Sequence, residues 1–341
     1  MDIADPRSQG PAAPGPVSAK RRRAHPLVWF VVRRLAAGVA ILAAVSVLVF
    51  AGTEILPGDA ATAILGRDAT PEAVAAMRQQ LGLDRPVVEQ YISWVEGLLH
   101  GDFGQSLTAG APVSELIGAR IVDTLILAVV ASLVMIPLAV ALGVIAGCRP
   151  GGVLDSAITW TSLGMIAVPE FVIGTLLVLL FAVRLQWLPA VSLLPFDGGP
   201  LDVPSVLVLP VATLVIVGVA YIIRMVRAGV VEVMASDYVQ MARLNGVAER
   251  RVIVRHGLRN ALAPTVQVVA LTLQWLIGGL FIVEIVFEYP GIGQGLVQAV
   301  IARDIPLVQA VAMLIATVYV LITIVADIAV VLLVPKLRTS V

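Results

Sequence analysis

Six apolar runs, each about as long as the roughly 30 Å hydrocarbon core of a bilayer requires of a helix, constrain this chain more than any other feature. They occupy residues 35–56, 121–147, 157–183, 204–223, 261–283 and 307–334. Only 13% of residues are charged, about half the share in a soluble domain, so lipid rather than water is the main solvent. Backbone groups in lipid must bond within their own segment, and runs of this length do so as helices. The fold class read from these runs is an all-α integral membrane protein with six transmembrane helices.

The 23 Lys and Arg orient the spans. Seven precede the first run, one lies between the second and third, seven between the fourth and fifth, and two follow the sixth. The opposite intervals carry four, one and one. By the positive-inside rule both termini and the 224–260 loop are cytoplasmic. The first run is too long for a cleavable leader and has no small-residue cleavage pattern, so it reads as a retained span. The organisation follows: a basic, disordered amino terminus over 1–34 that touches anionic lipid, a first span over 35–56 and an external loop over 57–120. A core over 121–335 with five spans and a tail over 336–341 complete it. One cysteine, Cys148, allows no internal disulfide, and His25, His100 and His256 have no metal-ligand spacing. Nothing indicates nucleic-acid binding.

Two loops carry local signals. In the external loop, Thr70-Pro71-Glu72 opens a helix and Gly82 closes it, predicting a helix over 71–81. A second helix is predicted over 87–99, with Tyr91, Trp94, Val95 and Leu98 at helical spacing. That stripe suits packing on the chain's own spans, the membrane interface or a partner. In the 224–260 loop, Ser236 or Asp237 caps a short helix ending near Leu244, Asn245-Gly246 breaks it, and a basic helix follows over 248–258. Such a hairpin is more specific than a lipid anchor requires.

The string Asp237-Tyr238-Val239-Gln240-Met241-Ala242-Arg243-Leu244-Asn245-Gly246-Val247, continuing through Arg255, His256-Gly257-Leu258-Arg259-Asn260-Ala261 and Pro264, resembles the cytoplasmic loop of ABC importer permeases. Its acid-Tyr-x-x-x-Ala-Arg-x-x-Gly form is similar to the dipeptide/oligopeptide/nickel branch. Further stretches resemble the same branch: Leu81 to Pro86, Gly101-Asp102-Phe103-Gly104-Gln105-Ser106, Trp187-Leu188-Pro189-Ala190, Tyr289-Pro290-Gly291-Ile292-Gly293 and Arg303-Asp304-Ile305-Pro306. One departure is Val334-Pro335-Lys336, where the family often has Asp-Pro-Arg. The resemblance implies a type I importer permease fold, with Asp237, Tyr238, Ala242, Arg243, Gly246, Val247, Arg255 and His256 in an ATPase-coupling loop. It further implies a second homologous permease, two cytoplasmic ATPase subunits and an extracytoplasmic substrate-binding protein as partners. The chain binds no cofactor on this reading; the ATPase subunits use ATP and Mg. The sequence has no Gly-x-x-x-x-Gly-Lys-Ser/Thr, so a standard nucleotide loop must be supplied by other subunits.

Charges within the apolar runs are costly, at about 2.5–3.5 kcal/mol each when left facing lipid. Glu170, next to Pro169 in the middle of the third run, either lines the translocation route or makes a buried hydrogen bond aided by carbonyls that Pro169 frees. Asp327 in the sixth run reads as structural. Glu54, Glu284 and Glu288, near outer span ends, read as solvated or as a gate rim. Two intramembrane carboxylates also suit an ion-coupled secondary transporter, the alternative reading, but the inverted repeats that design calls for are not evident. No catalytic motif supports an enzyme.

Overall fold

The computed structural model describes residues 26–55, 62, 65, 69–80, 82, 84–195, 198–248, 251–252 and 259–333. The amino terminus before 26, most of the basic helix expected over 248–258, and the Val334-Pro335-Lys336 departure with the tail lie outside them. Among the described residues the secondary structure is helical, apart from one isolated bridge pair, Gln105 and Pro112.

Helices α1 (Pro26–Ile55), α4 (Val113–Cys148), α7 (Ser205–Met234) and α11 (Ile305–Leu333) contain segments long and apolar enough to cross a membrane. Helix α9 (Arg259–Val286) coincides with the fifth run, and its described apolar part is Leu271–Val286. Between α1 and α4 lie α2 (Pro71–Gln80) and α3 (Val87–Leu99). Both match the sequence signals: the Thr70 hydroxyl accepts from the Ala73 amide at 3.3 Å, and Gly82 has φ +69°. The aromatic stripe of α3 packs on the chain's own first span. Phe50 lies 5.4 Å from the Tyr91 ring and 5.7 Å from Trp94, and the Tyr91 and Ser46 hydroxyls are 2.8 Å apart.

The third run departs from the expectation of one straight span. It is two helices, α5 (Val153–Ala167) and α6 (Glu170–Leu177), the latter continuing into a π-helical turn over Val178–Arg184. The two halves meet at 101°. The cause is Pro169, which has no N–H and disfavours helical backbone in the residue before it; Val168 is extended at φ −99°, ψ 127°. Glu170 is therefore not mid-helix but the first residue of a new helix.

Two other boundaries moved for a shared reason. Hydropathy ends a span at its first charge, whereas the backbone ladder continues through it. Helix α7 runs past Arg224 and Arg227 to Met234, and α4 begins at Val113, before Arg120. Helix α7 is the centre of the core, packed chiefly along α4 and α9. On α4 every fourth residue from Leu127 through Ala131, Met135 and Ala139 to Gly143 is buried. Gly143 and Gly147 let the helices approach closely: a Cβ at either would lie 2.7 Å from the Cβ of Val226 or Val230. Small residues four apart serve this purpose where lipid removes the usual hydrophobic drive. A further helix, α10 (Ile292–Ala302), lies between the fifth and sixth runs, where the sequence reading assigned no element.

Candidate functional site

Helix α8 (Asp237–Leu244) follows α7 after two residues. Ser236 stands at its N-cap but does not cap through its side chain; its hydroxyl donates back to the Val233 carbonyl at 2.5 Å. At the other end the Gly246 amide donates to the Arg243 carbonyl at 2.9 Å and the Val247 amide to the Ala242 carbonyl at 3.2 Å. Those two bonds, with Gly246 at φ +75°, form a Schellman cap. Val239, Ala242 and Val247 face the core. Tyr238, Met241 and Leu244 form the opposite stripe, 43%, 61% and 82% exposed, flanked by exposed Asp237 and Arg243. A buried face and a closed C-terminus thus hold a short helix that presents apolar side chains outward. Arg255 and His256 lie outside the described residues.

The break in the third span opens a second site. A cavity of about 510 Å³ lies between α5, α6, α7 and α9, and Pro169 and Glu170 both line it. The carboxylate oxygen Oε2 of Glu170 is shut from solvent with no hydrogen-bond partner among the described residues. Near the opposite end of α5, buried Asp155 takes both guanidinium arms of Arg227, with Nη2 to Oδ2 at 2.7 Å, and accepts the Gly151 amide at 2.8 Å. This pair ties the third span to α7 two turns before α7 ends.

On the other side of the bundle two buried carboxylates organise the loops. Glu284 accepts from the Thr124 hydroxyl and the Gly293 amide, each at 2.6 Å, and from the Gln294 amide at 3.4 Å. It thereby caps α10 and fastens it to α4. The expectation of a solvated or rim position is wrong for Glu284, which is buried, whereas Glu54 and Glu288 are exposed. Asp304, also buried, accepts from the Ser106 hydroxyl, the Thr108 hydroxyl at 2.8 Å, and the Leu107 and Thr108 amides at 3.1 and 3.3 Å. Burial alone would raise its pKa, but these four donors outweigh it and hold the carboxyl below its ordinary 3.8. Asp304 falls inside a stretch singled out in the sequence, Arg303 to Pro306, yet without an assigned role, whereas Glu284 lies outside those stretches.

Residues 139–339 match the model of the binding-protein-dependent transport system inner membrane component, and residues 27–128 match that of its N-terminal portion. The chain belongs to this family of transport-system membrane components. It is 36% identical to a probable peptide ABC transporter permease protein of Sinorhizobium fredii, over 91% of this chain and 99% of the relative. It is equally similar, over 90% of this chain and 98% of the relative, to a putative peptide transport system permease protein of Brucella abortus strain 2308. A glutathione transport system permease protein of Escherichia coli K12 is 36% identical over 91% of this chain and 98% of its own length.

The permease is thus a multi-pass inner-membrane subunit of a binding-protein-dependent importer, a transporter component rather than an enzyme. Both the α8 hairpin and the Glu170 cavity fall within the 139–339 match. Asp327 of the permease lies on α11, 3.0 Å from Arg34 Nε of α1, an ion pair without hydrogen-bond alignment. Removing one partner strands a charge among apolar helices, whereas removing both strands none. Arg34→Leu and Asp327→Leu are each expected to lower the yield of folded permease, and the double variant to recover most of it. Size-exclusion recovery from membranes measures this, and a double variant worse than both singles would contradict a structural pairing.

Proposed function

We propose that the permease works in an ATP-driven importer, beside a second homologous permease, with two ATPase subunits docked on the α7–α9 connection and an extracytoplasmic binding protein delivering cargo. On this reading it crosses the membrane six times with both termini cytoplasmic, and Glu170 and Pro169 lie on the translocation path. The cargo is a peptide or a related small solute, which the names of the peptide and glutathione relatives support. Bound ATP and Mg belong to the ATPase subunits.

The observation that carries the proposal is the exposed Tyr238, Met241 and Leu244 stripe on a helix held by its buried face and its closed C-terminus. A rigid apolar ridge outside the lipid calls for a protein groove to cover it. Docked there, an ATPase pair that closes on ATP moves α8 as a body. Helix α7 carries that motion inward, and the Arg227 and Asp155 pair passes it to the third span. Leu244→Glu places a charge at the most exposed point of the ridge without touching the core. ATPase subunits are expected to co-purify with this variant at least about tenfold less, since burying an unpaired charge at an interface costs several kcal/mol. Undiminished co-purification would count against docking at α8.

A further inference from the structure

The cavity at the break in the third span has a chemical character of its own. Among the described residues lining it, Glu170 is the only charged one, and Tyr221 and Trp275 contribute aromatic surface. Thr272, also in the lining, spends its hydroxyl on the Val268 carbonyl of its own helix at 2.9 Å. The carboxylate has no hydrogen-bond partner among the described residues, and its Oε2 is packed rather than open to solvent. A Cβ on Gly279 would lie 2.8 Å from Glu170 Oε2, so glycine at that place leaves space for the acid. None of the ion pairs among the described residues involves Glu170.

An uncompensated carboxylate beside two aromatic rings, in a cavity of ligand size, is built for a cation with apolar bulk behind it. A carboxylate ligand would be repelled, and a neutral one would leave the acid without a counter-charge. We infer that the Glu170 cavity is a station for the primary ammonium group of the cargo, held by ion pairing to Glu170 with Tyr221 and Trp275 flanking it. The inference rests on the reading of Glu170 as part of the translocation path, and narrows the cargo to solutes carrying a free amine.

The test uses the complete importer, purified with its partner permease and ATPase subunits in lipid nanodiscs. The probes are dialanine, N-acetyl-dialanine and sodium ion. The signal is the part of the tryptophan fluorescence that disappears in Trp275→Phe, which keeps an aromatic ring but removes the reporter. Dialanine is expected to give a saturable change, with the acetylated probe at least about tenfold weaker, the worth of one ion pair with aromatic support. Glu170→Gln should weaken dialanine by a similar factor and leave the acetylated probe unchanged, and Glu170→Asp should fall between. Equal responses to the two peptides, a sodium response as strong as that of dialanine, or undiminished dialanine binding in Glu170→Gln would overturn the inference. Co-purification of ATPase subunits with Glu170→Gln verifies that the variant assembles. Failure of the wild-type chain to co-purify with them would strike the importer reading instead, on a separate measurement.

Discussion

Gly246→Val is expected to abolish ATP-driven uptake while the permease still inserts and assembles. The site isolates a backbone effect: a Cβ at Gly246 meets nothing within 4 Å, so the substitution brings no clash with neighbouring residues. What it cannot tolerate is φ +75°, where a β-branched residue costs about 1–3 kcal/mol. Relief comes by abandoning that φ, which breaks the bonds from the Gly246 and Val247 amides to the Arg243 and Ala242 carbonyls. The last turn of α8, carrying Leu244, then loses its fixed direction. A shift of that size changes a docked population by roughly 5- to 150-fold. Uptake and ATP hydrolysis measured on the same proteoliposomes separate the cases. Hydrolysis that continues without uptake is the expected result, and normal coupling would remove α8 from the transmission path. Gly246→Asn, which accepts this region of φ more readily, should retain much of the wild-type behaviour.

Asp304→Ala is expected to release the segment around Ser106 to Thr108 from the α10–α11 corner. The carboxylate answers four donors from that segment and also the Leu307 amide at 3.4 Å. Each buried donor left without an acceptor costs about 1–3 kcal/mol, so the loss is roughly 3 kcal/mol or more even after partial relaxation. The measurements are thermal unfolding and protease cleavage of the 100–112 segment in folded, membrane-embedded protein. Uncleaved protein with an unchanged melting temperature would mean that the strap is held elsewhere. The pH dependence has a fixed sign. Because the folded pKa lies below 3.8, the stabilisation from Asp304 is fully present above the unfolded value and is lost as pH falls through the folded one. Neutral and mildly acidic surroundings should therefore leave the strap closed, and only strong acid should loosen it.

The parts of this molecule that could be read from sequence are those whose cause is local. The bounds of α3, the extent of α8 and the glycine turn after it depend on neighbours within a few residues, and they stand where the pattern puts them. The third span could not be read as one helix or two from hydropathy, because its apolar run is unbroken and only the backbone consequence of Pro169 divides it. Helix α10 escaped because Tyr289-Pro290-Gly291 reads as a loop, and the acid that caps the helix, Glu284, sits seven residues before Gly291 in another element. Asp304 and Ser106 are 198 positions apart, so neither residue signals the other. In the candidate site the hairpin was legible as a string, whereas Glu170 was legible only as an anomaly. Its cavity exists because α7 and α9 meet the Pro169 bend, an encounter that no single segment encodes.

The pairing of Asp155 with Arg227 also bears on the order in which the permease is made. The two residues are 72 positions apart, so the third span leaves the ribosome with a carboxylate whose counter-charge has not yet been synthesised. Each half of that span, Val153–Ala167 at 15 residues and Glu170–Arg184 including its π-helical turn, is also shorter than the roughly 20 residues a crossing requires. Neither half can settle in lipid by itself. The smallest unit in which the charge is closed and the bend is supported is α5 and α6 together with α7. The bend at Pro169 therefore gains its full support only once α7 has been made.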